Sequence, residues 1–233
     1  MAKGRATDRA RTARGSGETA HVQLGQTFGL GTGVSPALSM ASNREIEIKF
    51  RVADLRGLTR SLRASRLRRI TPRTHEMNTL YDLPGLPLRK RGDLLRLRLY
   101  GKEWVLTHKA KGKVGRHKTR VETETKVSDG RKMEAILHAL GFQPTFRYEK
   151  FRAEWADGKG HVVVDETPIG NFGEIEGPAR WIDQTAKILG IKQSAYITDT
   201  YAGLFFAWKR RTRSPALEMT FRAVNGSAVR AKR

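Results

Sequence analysis

Glu45-Ile46-Glu47-Ile48-Lys49 is the stretch whose reading decides the fold. In a β-strand successive side chains point to opposite faces. Glu45, Glu47 and Lys49 then share one face, and Ile46, Ile48 and Phe50 share the other. Taken alone, this describes any strand with one wet and one buried side. The pattern recurs, however. Arg96 and Arg98 alternate with Leu95, Leu97 and Leu99. Thr107 and Lys109 share a face, as do Arg120, Glu122 and Glu124, with Lys118 and Lys126 on the same parity. Lys150 and Arg152 share a face, Asp165 follows Val162-Val163-Val164, and Glu174 and Glu176 flank Ile175.

Outward from these positions, period-two stretches are expected near 44–51, 75–82, 93–100, 103–110, 117–127, 145–156, 160–167 and 171–177. Tyr100-Gly101-Lys102-Glu103 and Asp157-Gly158-Lys159-Gly160 read as hairpin turns. Helical periodicity is expected near 54–68, 130–140, 179–189 and 195–208. Asp54 is a plausible N-cap of the first helix, and Met133, Ile136, Leu137 and Leu140 form a stripe on the second, which Gly141 ends. Mostly sequential strands with short turns predict an α+β chain: an eight-stranded antiparallel closed β-barrel with helices packed outside. If helices cover the apolar faces, the charged faces point into the lumen. A lumen lined by acids and bases is costly unless the charges pair or bind ions.

The flanks differ in composition. Residues 1–43 are rich in Gly, Ser, Thr, Ala and Arg and read as a disordered basic arm or a mis-called start, with Met40 just ahead of the patterned region. Residues 209–233 read as a basic flexible tail. The net charge of the chain is +22, from 45 Lys and Arg against 23 Asp and Glu, and most of it belongs to the patterned region between the flanks. Even that region should attract anions. A solvated basic surface, or nonspecific nucleic-acid contact through the basic ends, is the rival account of the total. There is no cysteine, which excludes disulfides and thiolate metal sites and fits a cytoplasmic location. No apolar run reaches the roughly 18 residues that span a bilayer, so no membrane partner is expected.

The two signs of charge suit different work. Carboxylates at i and i+2 on neighbouring strands can converge on a hard divalent cation, Mg²⁺ or Mn²⁺. Arg and Lys grip phosphate oxygens. A polyphosphate with bound metal would satisfy both. There is no glycine-rich loop before a lysine, so a helix-terminus phosphate site is excluded. The six histidines have no metalloprotease spacing, and no Ser/His/Asp arrangement can be argued.

In order, Glu45-Ile-Glu47-Ile-Lys49, Leu80-Tyr81-Asp82, Leu95-Arg96-Leu97-Arg98, Leu106-Thr107-His108-Lys109, Arg120-Val-Glu122-Thr-Glu124, Lys150-Phe-Arg152, Val164-Asp165 and Gly173-Glu174-Ile-Glu176-Gly177 resemble the CYTH family, the triphosphate tunnel metalloenzymes. The resemblance spans about 44–208. It implies a tunnel domain there, Mg²⁺ or Mn²⁺ as cofactor, and a nucleoside or inorganic triphosphate as substrate. Glu45, Glu47, Glu174 and Glu176 are the leading metal-ligand candidates, followed by Asp165, Glu122 and Glu124. Lys49, Arg96, Arg98, Lys109, Arg120, Lys150 and Arg152 are the triphosphate-binding candidates, with Glu45, Glu47 and Lys49 at the catalytic centre. The pattern leans toward class IV adenylyl cyclases, which make cyclic AMP and pyrophosphate. An inorganic or thiamine triphosphatase is the alternative, and a non-catalytic polyphosphate or nucleic-acid binder the rival from another class. Tyr81, Tyr196 and Tyr201 are candidate bases, and a homodimer is a candidate assembly.

Overall fold

The computed structural model describes residues 43–230, so the expectations for Met40 and the segment before it lie outside the described residues. The strands are β1 (Asn43–Arg51), β2 (Arg68–Asp82), β3 (Leu94–Tyr100), β4 (Glu103–Lys109), β5 (Lys113–Val114), β6 (Lys118–Val127), β7 (Gln143–Ala156), β8 (His161–Thr167) and β9 (Gly170–Glu176). The helices are α1 (Leu55–Ala64), α2 (Pro87–Arg91), α3 (Gly130–Ala139), α4 (Ala179–Ile188), α5 (Tyr201–Thr212) and α6 (Phe221–Arg230). No described helix is long and apolar enough to cross a membrane.

All pairings between these strands are antiparallel, in the order β1-β9-β8-β7-β2-β3-β4-β6, and β1 also pairs with β6. The sheet therefore closes into the eight-stranded barrel, with the two-residue β5 as an added flap on β6. Closure falls on β1. Its first half, to Glu47, pairs with β6, and its second half, from Glu47, pairs with β9. The two hairpin turns lie as expected: Tyr100 pairs with Glu103 across Gly101, whose φ of 60° only glycine adopts freely. Asp157 holds the second turn by accepting from the Lys159 and Gly160 amides.

The outward faces carry the apolar load. Ile48, Phe50, Val162, Val164 and Ile175 pack with Leu62 of α1 and Trp181 and Ile182 of α4. Leu97 and Tyr81 pack under Leu137 of α3. Burying such side chains stabilises by roughly 1.5–3 kcal/mol each. The inward face changes character along the barrel. It is charged through the middle, but Leu80, Phe146, Tyr148 and Phe172, on the inward parity, form an apolar end. Tyr201, Leu204 and Phe205 of α5 pack there and plug it.

Two expectations are corrected. The last helix begins at Tyr201, not at 195. Ile197 is taken by paired backbone hydrogen bonds with Lys49, at 2.9 and 2.7 Å, and Thr200 caps the helix by accepting from Gly203. The segment from 209 onward is not a fraying tail through its described length. Residues 209–212 continue α5, and Ala216, Met219 and Val224 are buried. β8 pairs only with the second half of β7, which leaves the backbone of Arg147 and Glu149 with a free edge. Met219 fills it with hydrogen bonds of 3.0 and 3.1 Å. An unpaired strand edge under a hydrophobic cover needs such a partner.

Candidate active site

The inward faces enclose a cavity of about 280 Å³. Every residue assigned above to metal, phosphate or the catalytic centre lines it, with the exception of Asp165; of the candidate bases only Tyr201 does. Register explains the grouping. Glu47 stands opposite Glu176 and Lys49 opposite Glu174 across β1 and β9. On the other edge of β1, Glu45 stands opposite Arg120 and Glu47 opposite Lys118. Four carboxylates thus share two adjacent strands. The cations come mainly from β3, β4, β6 and β7.

The charges satisfy one another. Lys109 reaches Glu45 at 2.7 Å and Glu122 at 2.9 Å. Lys49 donates to Glu174 at 2.5 Å, and Lys118 to Glu47 at 3.0 Å. Arg152 bridges Asp165 and Glu174, both at 2.6 Å. Arg98 reaches Glu124 at 3.3 Å, and Arg96 donates to Thr107 at 3.2 Å. Arg120 is spent on the carbonyls of Ala110 and Gly92 while still facing the cavity. Asp165 is fully buried behind this layer. Lys150, Arg152 and the Tyr201 hydroxyl saturate its oxygens. That saturation argues against the metal-ligand role expected for it and makes it an anchor for cations.

Glu176 is the exception among the four clustered carboxylates: among the described residues it has no hydrogen-bond or ion-pair partner. Burial, and then the like charges of Glu45, Glu47 and Glu174, push its carboxyl up to about 7. It still faces the water of the cavity, which screens part of that push. Burial also raises Glu45, outweighing Lys109. Burial works against ionised Glu47 too, but Lys49, with Lys118 behind it, outweighs it and leaves the carboxyl at about 2. Lys49 is itself held above the usual lysine range, since Glu174 and Glu47 more than offset burial.

Glu76, Asn78 and Lys118 were not among the expected site residues. Glu76 and Asn78 are fully buried on the inward side of β2, while Met77 between them is 41% exposed. The signal was present, because Glu76, Asn78 and Asp82 alternate with Met77, Thr79 and Tyr81. Glu76 lies 3.5 Å from Lys150 and near Arg98 and Arg152. Burial opposes its charge, yet Lys150, Arg152 and Arg98 hold it at about 2. Among the described residues four buried side-chain atoms lack a hydrogen-bond partner, Glu76 Oε2, Asn78 Oδ1, Arg96 Nε and Arg98 Nε, and all belong to β2 and β3. Such clustering marks a site and not a fault in packing. Of the candidate bases, Tyr81 donates to Glu134 and Tyr196 to Asp183, and neither lines the cavity. Tyr201 does, but burial and then Asp165 drive its hydroxyl well above the usual range, so it stays protonated.

A second cavity, of about 330 Å³, continues from the first past Leu94, Arg120, Tyr148, Thr200 and Tyr201. Leu80, Leu95, Phe146 and Phe206 make its walls largely apolar. None of the four clustered carboxylates lines it.

The fold has known counterparts. An adenylate cyclase candidate from Vibrio parahaemolyticus superposes with a TM-score of 0.63 at 18% identity, over 70% of this chain and 97% of that one. A Pyrococcus horikoshii OT3 protein gives 0.60 at 23%, over 70% and 98%. A Hippeastrum protein, described as an adenylyl cyclase candidate with a dominant triphosphatase activity, gives 0.53 at 20%, over 70% and 95%. At these identities the likeness speaks for the fold. No curated protein matches the sequence. A family model described as the CYTH domain matches residues 43–200, which includes every strand of the barrel. The chain belongs to the CYTH family.

Proposed function

We propose that the chain is a divalent-metal-dependent triphosphatase acting on nucleoside triphosphates. One observation carries the reading: a closed lumen in which clustered carboxylates face a larger set of lysines and arginines, continuous with an apolar cavity sized for an organic group. The cations suit the triphosphate and the second cavity suits the nucleoside.

The donor set suits a hard divalent cation. It is all carboxylate, and among the described residues Glu176 has no hydrogen-bond or ion-pair partner. Among the described residues no three acidic or histidine side chains yet stand as a ready chelate, because Lys49, Lys109 and Lys118 hold three of the four carboxylates. Glu45, Glu47, Glu174 and Glu176 would hold Mg²⁺ or Mn²⁺, which offsets phosphate charge and makes water a better nucleophile. The chain's residues do the rest by exchange. An entering triphosphate takes over the donors of Lys49, Lys109, Lys118 and Arg98, and each cation that turns to phosphate releases a carboxylate. Among the described residues, Arg96 and Arg98 have Nε donors without a hydrogen-bond partner. A carboxylate of the cluster that the metal leaves free can take the proton of the attacking water. Water adds to the terminal phosphorus, the bond to the bridging oxygen breaks, and orthophosphate leaves.

Cyclisation by the ribose 3′-hydroxyl, as in class IV adenylyl cyclases, is the second reading, since the same tunnel can orient ATP for either attack. Hydrolysis is favoured because the carboxylates stand apart from the nucleoside cavity, at the end where the terminal phosphate would lie. The test is incubation with Mg²⁺ or Mn²⁺ and ATP or tripolyphosphate. Orthophosphate from ATP supports the proposal, and cyclic AMP with pyrophosphate transfers it to the cyclase reading. No product from any triphosphate, together with salt-sensitive binding to nucleic acid, would sink the enzyme reading.

A further inference from the structure

The clustered carboxylates have one more neighbour on the cavity wall. β8 turns His161 and Val163 toward the cavity, while Val162 and Val164 are buried in the core outside. His161 stands directly opposite Glu176 in the pairing of β8 with β9. Glu176 in turn stands opposite Glu47 on β1. His161, Glu176 and Glu47 therefore form one row across three adjacent strands. Directly opposed side chains have Cβ atoms roughly 4.5–5.5 Å apart, so the row can close on one ion. We propose that His161 is a further ligand of the divalent cation, and that its nitrogen makes the site prefer Mn²⁺ to Mg²⁺. The proposal rests on the metal-dependent triphosphatase reading above and narrows its cofactor.

The row is set apart by what it lacks. Glu45 stands opposite Arg120, Glu47 opposite Lys118 and Glu174 opposite Lys49. Glu176 stands opposite a carboxylate on one side and an imidazole on the other, with no lysine or arginine in register. The imidazole is equally unattached. His75 meets Glu149 at 2.8 Å, His117 meets Asp183 at 2.9 Å, and His108 lies 4.0 Å from Asp93. His138 sets its ring edge-on to Tyr81. Among the described residues His161 has no hydrogen bond, ion pair or ring contact, and it is the one histidine that lines the tunnel cavity.

An exposed histidine at the start of a strand is ordinarily a solvated side chain. That account leaves unexplained why it faces inward beside the one clustered carboxylate without a cation. A charge pair with Glu176 is the other simple account, yet the two opposed side chains form no ion pair among the described residues. A cation held between them gives both a partner. The carboxylates and His161 do not stand as a ready chelate beforehand, but the exposed imidazole can rotate toward the ion. Mg²⁺ takes oxygen ligands in a strict octahedron and keeps its water reluctantly shed. Mn²⁺ shares its liking for carboxylate and, as a first-row transition metal, also accepts imidazole. A row of carboxylates ended by a nitrogen therefore favours Mn²⁺.

The experiment loads the full chain with Mn²⁺ alone, at less than one ion per chain and without nucleotide, and reads pulsed electron paramagnetic resonance. Wild type should show modulation from a bound nitrogen that isotopic labelling of histidine shifts. His161→Gln and His161→Arg should both abolish it. Titration should find Mn²⁺ binding weakened about tenfold or more in both variants, at least what losing an outer partner of a ligand costs, with Mg²⁺ binding little changed. His138→Gln, off the cavity, should match wild type in both measurements. Circular dichroism confirms that each variant is folded. Bound Mn²⁺ without nitrogen modulation in wild type, modulation that survives both His161 substitutions, or no Mn²⁺ binding overturns the proposal. So does a Mn²⁺ preference kept by His161→Arg, which would make His161 a charge and not a ligand. Orthophosphate release from ATP, assayed with each metal, tests the underlying reading separately. Its absence with both sinks that reading, whereas a missing nitrogen signal beside normal release sinks only this proposal.

Discussion

On the wall formed by β1 and β9, Glu47, Glu174 and Glu176 crowd together, and the freest of them is pushed up to about 7. On the wall formed by β2, β3 and β7, Glu76 stands among Arg98, Lys150 and Arg152 and is held at about 2. The same side chain, in one lumen, is driven in opposite directions by its neighbours. One wall is short of positive charge and suits a cation. The other keeps Glu76 ionised as a counterweight to the cations that await an anion.

The sharpest way to break this comparison is to neutralise the acidic wall. Glu47→Gln should lower metal-dependent turnover by about 10²–10³-fold, the usual cost of losing a group that organises transition-state charge. Circular dichroism should remain that of the folded barrel, and normal kinetics with this variant would remove β1 from the catalytic centre. On the opposite wall, Arg98→Ala should raise KM about tenfold or more while kcat changes less, since it removes a binding cation. A loss confined to kcat would place Arg98 in the reacting step instead.

Glu76→Gln sharpens the contrast through stability. Its folded pKa lies below the unfolded value, so its stabilisation is complete above about pH 4.5 and is lost as pH falls toward 2. That shift corresponds to roughly 3 kcal/mol at neutral pH. Denaturant titration at pH 7 should find the variant weaker by that order, and the gap should close near pH 2. Glu176 has the opposite sign. Its folded pKa is raised, so its contribution is present below about pH 4.5 and is lost as pH rises through 7. In chelator, Glu176→Gln should therefore melt slightly higher than wild type at pH 8 and the same at pH 4. An equal melting temperature at both values would mean that cavity water screens the crowding fully.

The tunnel was legible because period-two charge has no other economical explanation once it repeats on many strands. The inward faces of β1, β3, β4, β6, β7 and β9 follow directly from parity. Glu76 and Asn78 obey the same rule, but the apolar Met77, which would mark the core in most strands, lies outside and half-exposed. Asp165 could be placed on the inward face, but not behind it. Only the register of β7 against β8 and the docking of α5 bring Lys150, Arg152 and Tyr201 onto its carboxylate. The docking of residues 216–219 was not readable, because it depends on how far β8 extends along β7. Likewise, Ile197 leaves a helical pattern for the backbone of Lys49, a residue far away in sequence.

β1 closes the barrel by pairing with β6 on one edge and β9 on the other, with Glu47 in both registers. The first of the described strands to be synthesised is therefore among the last to find its partners. Non-local pairing of this kind slows folding, because loop entropy must be lost before any contact repays it. A nascent chain would carry Glu47 and Lys49 on an unpaired edge until β9 had left the ribosome. The acidic wall cannot exist on a partial chain, so its assembly is the natural last step of folding and the step most exposed to aggregation.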